Sequence, residues 1–183
     1  MASRGLSRAQ ERMWFLERLH PHTSAYNVTS AMRLRGKLDQ DALRRAVDAL
    51  VERHPALRSR FPLVGEYPAC DVVRHLRVPL EQIEPESGWG QASGDAAPPA
   101  VARFASRPFD LAGGPLIRAG LMAVAADDYV FALVLHHLVS DGWSLGVLHS
   151  ELATLYERAA GGRSVDLAPV GAEYADHVRR ERR

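Results

Sequence analysis

One junction limits what this chain can fold into more than any other: YVFALVLHHLVSDGWSLGVLHSELATLYERAAGG, from Tyr129 to Gly162. The run Tyr129–Leu135 is apolar at every position, as a central strand covered on both faces must be. Leu145, Leu148, Leu152 and Leu155 then recur at helical spacing, and Gly161 and Gly162 suit a C-terminal cap. A strand buried on both sides needs neighbours in a sheet and helices on that sheet. The expected class is therefore α/β, a mixed central sheet flanked by helices.

The rest of the chain supplies matching pieces. LSRAQERMWFLERL places Leu6, Ala9, Met13, Leu16 and Leu19 at helical spacing behind Ser7 as N-cap. AYNVTSAMRLRG reads as a strand ending at Gly36. LDQDALRRAVDALVERHPAL is the clearest helix, capped by Asp39 and stopped by Pro55, with Leu43, Val47, Leu50, Val51 and His54 on one face. LRSRFPLV and ACDVVRHL are strand candidates around GEY, and the stretch from Glu81 to Pro99 reads as a surface loop. A short helix ending near Pro108, the strand LIRAGLMAVA with its ADD turn, and a last helix in VGAEYADHVRRERR complete the pattern.

Composition removes several function classes. The 183 residues suffice for one domain with a sizeable core. No apolar stretch is long enough to cross a bilayer, and MASRGLSRAQ lacks the apolar core of a secretory signal, so a cytoplasmic location is the expectation. A net charge of +1 gives no pull toward nucleic acid, and the basic end HVRRERR is interrupted by Glu181. Cys70 is the single cysteine and reads as a small buried hydrophobe. Glycine-rich nucleotide loops, HExxH and cysteine pairs, and a GxSxG elbow are all missing from the sequence, which disfavours nucleotide, zinc and serine-hydrolase chemistry.

The chemistry-bearing residues gather in HHLVSDG. Adjacent residues on a strand face opposite ways, so His136 and His137 cannot share one cleft. One is available for chemistry, while the other fixes the local backbone or fills space between sheet and helix. Asp141 can reach back to an imidazole or hold a basic side chain, and Gly142 permits a conformation or close approach that a Cβ would obstruct. An imidazole is suited to accept a proton from an attacking amine, alcohol or thiol, and the Gly142 amide could steady charge on a carbonyl oxygen. A structural histidine pair with an aspartate cap before a helix explains the same letters. Arg58 and Arg60, on strand-like alternation, share a face and could support the active-site layer, pair with Asp141 or be solvated, with a supporting role expected of Arg58. Met13 and Trp14 read as packing residues, and Trp143 as packing the turn.

HHLVSDGWS resembles the HHxxxDG signature of nonribosomal peptide synthetase condensation domains, whose fold is similar to chloramphenicol acetyltransferase. LSRAQERMWFL resembles the family's opening motif and RHPALRSRF its second. RPFDLAGGPLIRAGL, GVLHSELATLY and EYADHV resemble the segments around the histidine motif, in family order over nearly the whole chain. The resemblance implies that His137 is the catalytic histidine. It also implies that His136 is structural, that Asp141 is salt-bridged to an arginine, and that Gly142 lies beside the reacting carbonyl. The DGW spelling agrees with peptide-bond formers. It departs from heterocyclising relatives, and GVLHSELATLY leans toward the class taking an L-configured donor.

The implied reaction joins aminoacyl or peptidyl thioesters carried on phosphopantetheine arms, with no cofactor or metal bound directly. The implied partners are upstream and downstream peptidyl carrier domains, an adjacent adenylation domain and a C-terminal lobe. Because condensation domains have two similar lobes with a tunnel between them, residues 1–183 are expected to be the N-terminal lobe without the second, and inactive alone. Two rival readings are a non-catalytic module that docks a carrier domain, and a free-standing coenzyme A- or pantetheine-dependent acyltransferase whose cleft is completed by oligomerisation.

Overall fold

A computed structural model describes residues 5–86, 98–170 and 174–182. Helix α1 (Arg8–Leu19) leads into strand β1 (Asn27–Arg35) and helix α2 (Gln40–Arg53). A 3₁₀ turn at Pro55–Arg58 opens a series of short strands: β2 (Ser59–Arg60), β3 (Leu63–Val64), β4 (Tyr67–Pro68), β5 (Asp71–Val72) and β6 (Leu80–Gln82). Helix α3 (Pro99–Ala105), strands β7 (Ile117–Ala125) and β8 (Asp128–His136), and helices α4 (Gly142–Ala160) and α5 (Tyr174–Glu181) follow.

The main sheet runs β1-β8-β7-β6. β8 is antiparallel to both neighbours and β6 is parallel to β7, so the sheet is mixed, as expected. β8 is central because both of its faces are apolar. Phe131, Leu133 and Leu135 join Leu43, Val47, Leu50 and Val51 of α2 and Leu148, Leu152 and Leu155 of α4. Val130, Ala132 and Val134 point the other way, toward Ala100, Val101 and Phe104 of α3. The period of two in the strand thus builds two cores from one apolar run. Gly120 of β7 is needed on the α3 side, since a Cβ there would stand 2.6 Å from the Ile83 side chain and 2.8 Å from the Phe104 ring.

Helix α2 is capped by Asp39, whose carboxylate accepts the Ala42 N–H at 2.9 Å. It is tied to α4 where Arg53 and His54 both reach Glu151, at 2.9 and 2.6 Å. Burial alone would push the Glu151 carboxyl up; Arg53 and His54 together outweigh it and hold the group below its ordinary range.

Three expectations are corrected by the fold. The loop expected from Glu81 to Pro99 begins with β6, a three-residue parallel edge strand too short to show a period; residues 87–97 of that stretch lie outside the described residues. The inward face of α1 is not the expected apolar stripe, because Ala9 is exposed and Leu19 is 56% exposed. Gln10, Trp14 and Glu17 point inward instead. Arg58 sits in the 3₁₀ turn, so the alternation that paired it with Arg60 does not hold.

Candidate functional site

β8 ends at His136, and the chain then turns tightly: Val139 N–H returns to the His136 carbonyl at 3.0 Å, and α4 starts at Gly142. His136 continues the strand's inward alternation and is only 1% exposed, packed against the rings of Tyr26 and Phe109 with both centroids 6.1 Å away. His137 points the opposite way, exposed and into a cleft of about 770 Å³. Its backbone N–H donates to the Tyr26 carbonyl at 2.9 Å. The division of the two imidazoles expected from strand geometry is what the fold displays.

The cleft has one wall from the turn His137–Asp141, one from α1 through Gln10 and Met13, and one from α5 through Tyr174 and Val178. Phe61, Cys70 and Ser59 also line it. Helix α5 is held in place by the Ser7 hydroxyl on the Tyr174 phenol at 2.9 Å and by Arg182, which donates to the Leu6 carbonyl at 2.6 Å. Helix α1 is seated by the Trp14 indole N–H, which donates to the Phe61 carbonyl at 3.0 Å. Sequence patterns do not place Gln10, Tyr174 or Cys70 in the cleft, because contacts between distant segments leave no local signal. Only the Ser7–Gln10 capping box is legible in principle.

Asp141 caps α4. Its Oδ1 accepts the Ser144 hydroxyl at 2.6 Å and the Ser144 N–H at 2.8 Å, and these two bonds hold the carboxyl below its usual range. Among the described residues no arginine ion-pairs with it. Arg58 is occupied elsewhere: it donates to the carbonyls of Val51, Glu52, Val73 and Arg74 and so fastens the end of α2 to β5. Asp141→Ala is expected to lower the unfolding free energy by about 1 kcal/mol, while Asp141→Asn, also a good cap, stays near wild type. Urea denaturation of the two variants checks this.

Gly142 and Trp143 also differ from expectation. Gly142 is the first residue of α4, its φ is not positive, and a Cβ would find nothing within 4 Å. Within this chain it is required neither by backbone conformation nor by close packing, and it is absent from the cleft lining. Trp143 does not pack the turn; it is 84% exposed.

Burial pushes the His136 imidazole down from its ordinary 6.5 to about 4, with the neighbouring His137 adding in the same direction. The unfolded chain therefore takes up this proton before the folded one. The corresponding stability is complete above pH 6.5 and is lost as the pH falls toward 4. Between pH 6.5 and 5 the loss is about 1.5 kcal/mol. Unfolding free energies of wild type and His136→Asn, measured across that window, should converge by roughly this amount on acidification; parallel curves would contradict it.

The described residues contain no helix long and apolar enough to cross a membrane and no group of three side chains suited to a metal ion. The Condensation domain family matches residues 4–183. A linear gramicidin synthase polypeptide of Brevibacillus parabrevis is 42% identical over 176 residues, which is 94% of this chain and 2% of that protein. Phosphinothricin tripeptide synthetase PhsC of Streptomyces viridochromogenes is 38% identical over 97% of this chain and 16% of its own length. Among solved structures, the first condensation domain of the calcium-dependent antibiotic synthetase, in complex with a substrate analogue, superposes with a TM-score of 0.83 at 26% identity. That match covers 100% of this chain and 43% of the other. The X-domain from teicoplanin biosynthesis, in complex with OxyB, gives 0.84 at 27% identity over 97% of this chain and 37% of the other.

Proposed function

The chain belongs to the condensation-domain family and has its chloramphenicol acetyltransferase-like fold, and from that premise we propose that it forms peptide bonds between carrier-bound thioesters as the N-terminal lobe of a nonribosomal peptide synthetase domain. The observation that carries this reading is the cleft itself: the turn after the central strand presents an exposed His137 to a space of about 770 Å³. The chain spans less than half of the solved domains it matches, which supports a lobe whose tunnel is closed by a second one.

The α-amine of the downstream aminoacyl thioester attacks the upstream thioester carbonyl. A C–N bond forms, the C–S bond breaks, and His137 takes the amine proton and returns it to the departing thiolate. A neutral amine is already a capable nucleophile, so holding it against the carbonyl is part of the same role. Both arms are phosphopantetheine thioesters supplied by upstream and downstream carrier domains, with an adenylation domain loading the downstream one. Nothing else need bind. Gly142 lies outside the cleft lining of this chain, so it would meet the reacting carbonyl only where a second lobe completes the site. Gly142→Ala is then expected to keep its unfolding temperature, given the open space around it, and to lose transfer activity. Equal activity would remove Gly142 from the site.

A second reading, a docking module for another protein, is favoured by the X-domain neighbour, which was solved in complex with OxyB. Both are tested by loading an upstream carrier, adding a loaded downstream carrier, and weighing the downstream carrier intact. The arms are this chain, a second lobe, and the two together. Product only with both lobes supports condensation by a shared site. Carrier binding without product under every condition supports docking, and product from this chain alone contradicts the need for a second lobe.

A further inference from the structure

The inward face of α1 carries two polar groups where the buried face of a helix ordinarily carries apolar ones: Gln10 and Glu17, on either side of Trp14. Glu17 is 5% exposed. Its Oε2 has no hydrogen-bond partner among the described residues, and neither has Nε2 of His136; these two buried atoms stand 3.8 Å apart. On the other side of the same imidazole, Nδ1 accepts the Leu138 N–H at 3.1 Å. An accepting Nδ1 carries no proton, so the proton of the neutral ring is on Nε2, on the side of Glu17.

We propose that Glu17 is the positioning residue of the histidine junction. Its carboxyl takes the Nε2–H side of His136 and selects the tautomer whose Nδ1 holds the Leu138 amide. It thereby fixes the turn from which His137 enters the cleft. The importance of this for catalysis rests on the reading of His137 given above; the tautomer selection does not.

Two further contacts fit this role. Gln10, seven residues back on the same helix, donates its amide to the Leu138 carbonyl at 3.0 Å while its Oε1 accepts the Ser7 N–H at 3.1 Å. Helix α1 thus grips the turn at two points, one on the ring of His136 and one on the peptide of Leu138. The groups around the imidazole are the Tyr26 and Phe109 rings, Glu17 and the adjacent His137. Burial favours the uncharged form on both sides, pushing Glu17 up and His136 down. A charged imidazolium would have to give up the Leu138 bond. Buried polar groups left unpaired are costly, so two that face one another across this distance are each other's natural partners.

The test is imidazole ¹⁵N NMR on the chain with labelled histidine, together with hydrogen exchange at the Leu138 amide. Wild type should show His136 as the Nε2–H tautomer with a protected Leu138 amide. Glu17→Leu, close to glutamate in volume, should populate the other tautomer and lower Leu138 protection at least about tenfold. Glu17→Gln, whose Oε1 can accept the same proton, should restore both. An unchanged tautomer and unchanged protection in Glu17→Leu, or a wild-type His136 protonated on Nδ1, would overturn the assignment.

In the two-lobe domain, Glu17→Leu should lower kcat about tenfold or more at constant KM, with recovery in Glu17→Gln. An NMR response without a kcat response would leave the tautomer selection standing and count against the catalytic reading of His137.

Discussion

Phe131→Ala is expected to cost the domain about 3–5 kcal/mol of unfolding free energy. Phe131 is 1% exposed in the central strand, registered with Met32 on one neighbour and Leu121 on the other, and it faces the layer formed by α2 and α4. Truncation removes the ring's contacts with that layer, and the surrounding strands are held by their ladders and cannot collapse onto the gap. Against a typical total of about 5–15 kcal/mol, that loss leaves little folded chain at modest denaturant. Urea titration measures it as a lower midpoint at constant slope. Tyr67→Ala, at a position 76% exposed, is the surface control and should stay within about 0.5 kcal/mol. A Phe131 cost as small as the control's would mean that β8 is not the covered centre of the sheet.

His137→Ala is expected to have the opposite profile, with a large effect on activity and almost none on stability. The imidazole is exposed, and among the described residues it makes no hydrogen bond that the fold depends on. The contact that secures this position is the backbone N–H to Tyr26, and alanine keeps it. The unfolding free energy should therefore change by less than about 0.5 kcal/mol. Peptide transfer by the two-lobe domain should fall by about 10²–10⁴, the range for a positioned general base. A fall close to tenfold, with KM for the downstream carrier raised, would assign the histidine to binding and not to proton transfer.

What can be read from the sequence is whatever has a local period or a local cap. The unbroken run Tyr129–Leu135 marks the central strand because burial on both faces admits no polar residue. Ser7, Asp39 and the glycines after Ala160 mark helix ends because caps act over three or four residues. Alternation separates His136 from His137 for the same reason. The failures have a common cause as well. Gln10 and Glu17 escape notice in α1 because a pattern of apolar residues cannot report polar groups that are buried against a turn more than a hundred residues away. The four carbonyls that take up the Arg58 guanidinium carry no side-chain signature at all, so the tie it makes between α2 and β5 has no pattern in the letters. Trp143 is expected to pack because large aromatics usually do; it lies open on the first turn of α4.

The central claim is that the cleft beyond the strand end is where an amine meets a thioester under His137. A single-turnover measurement tests it most directly. Loaded upstream and downstream carriers are mixed with the two-lobe domain, and the mass of the downstream carrier is followed in time for wild type and His137→Ala, with thermal unfolding of both recorded alongside. With wild type, the downstream carrier should gain the upstream acyl group. With the variant, the rate should be at least about a hundredfold lower at an unchanged unfolding temperature. Equal rates from the two proteins would contradict the claim.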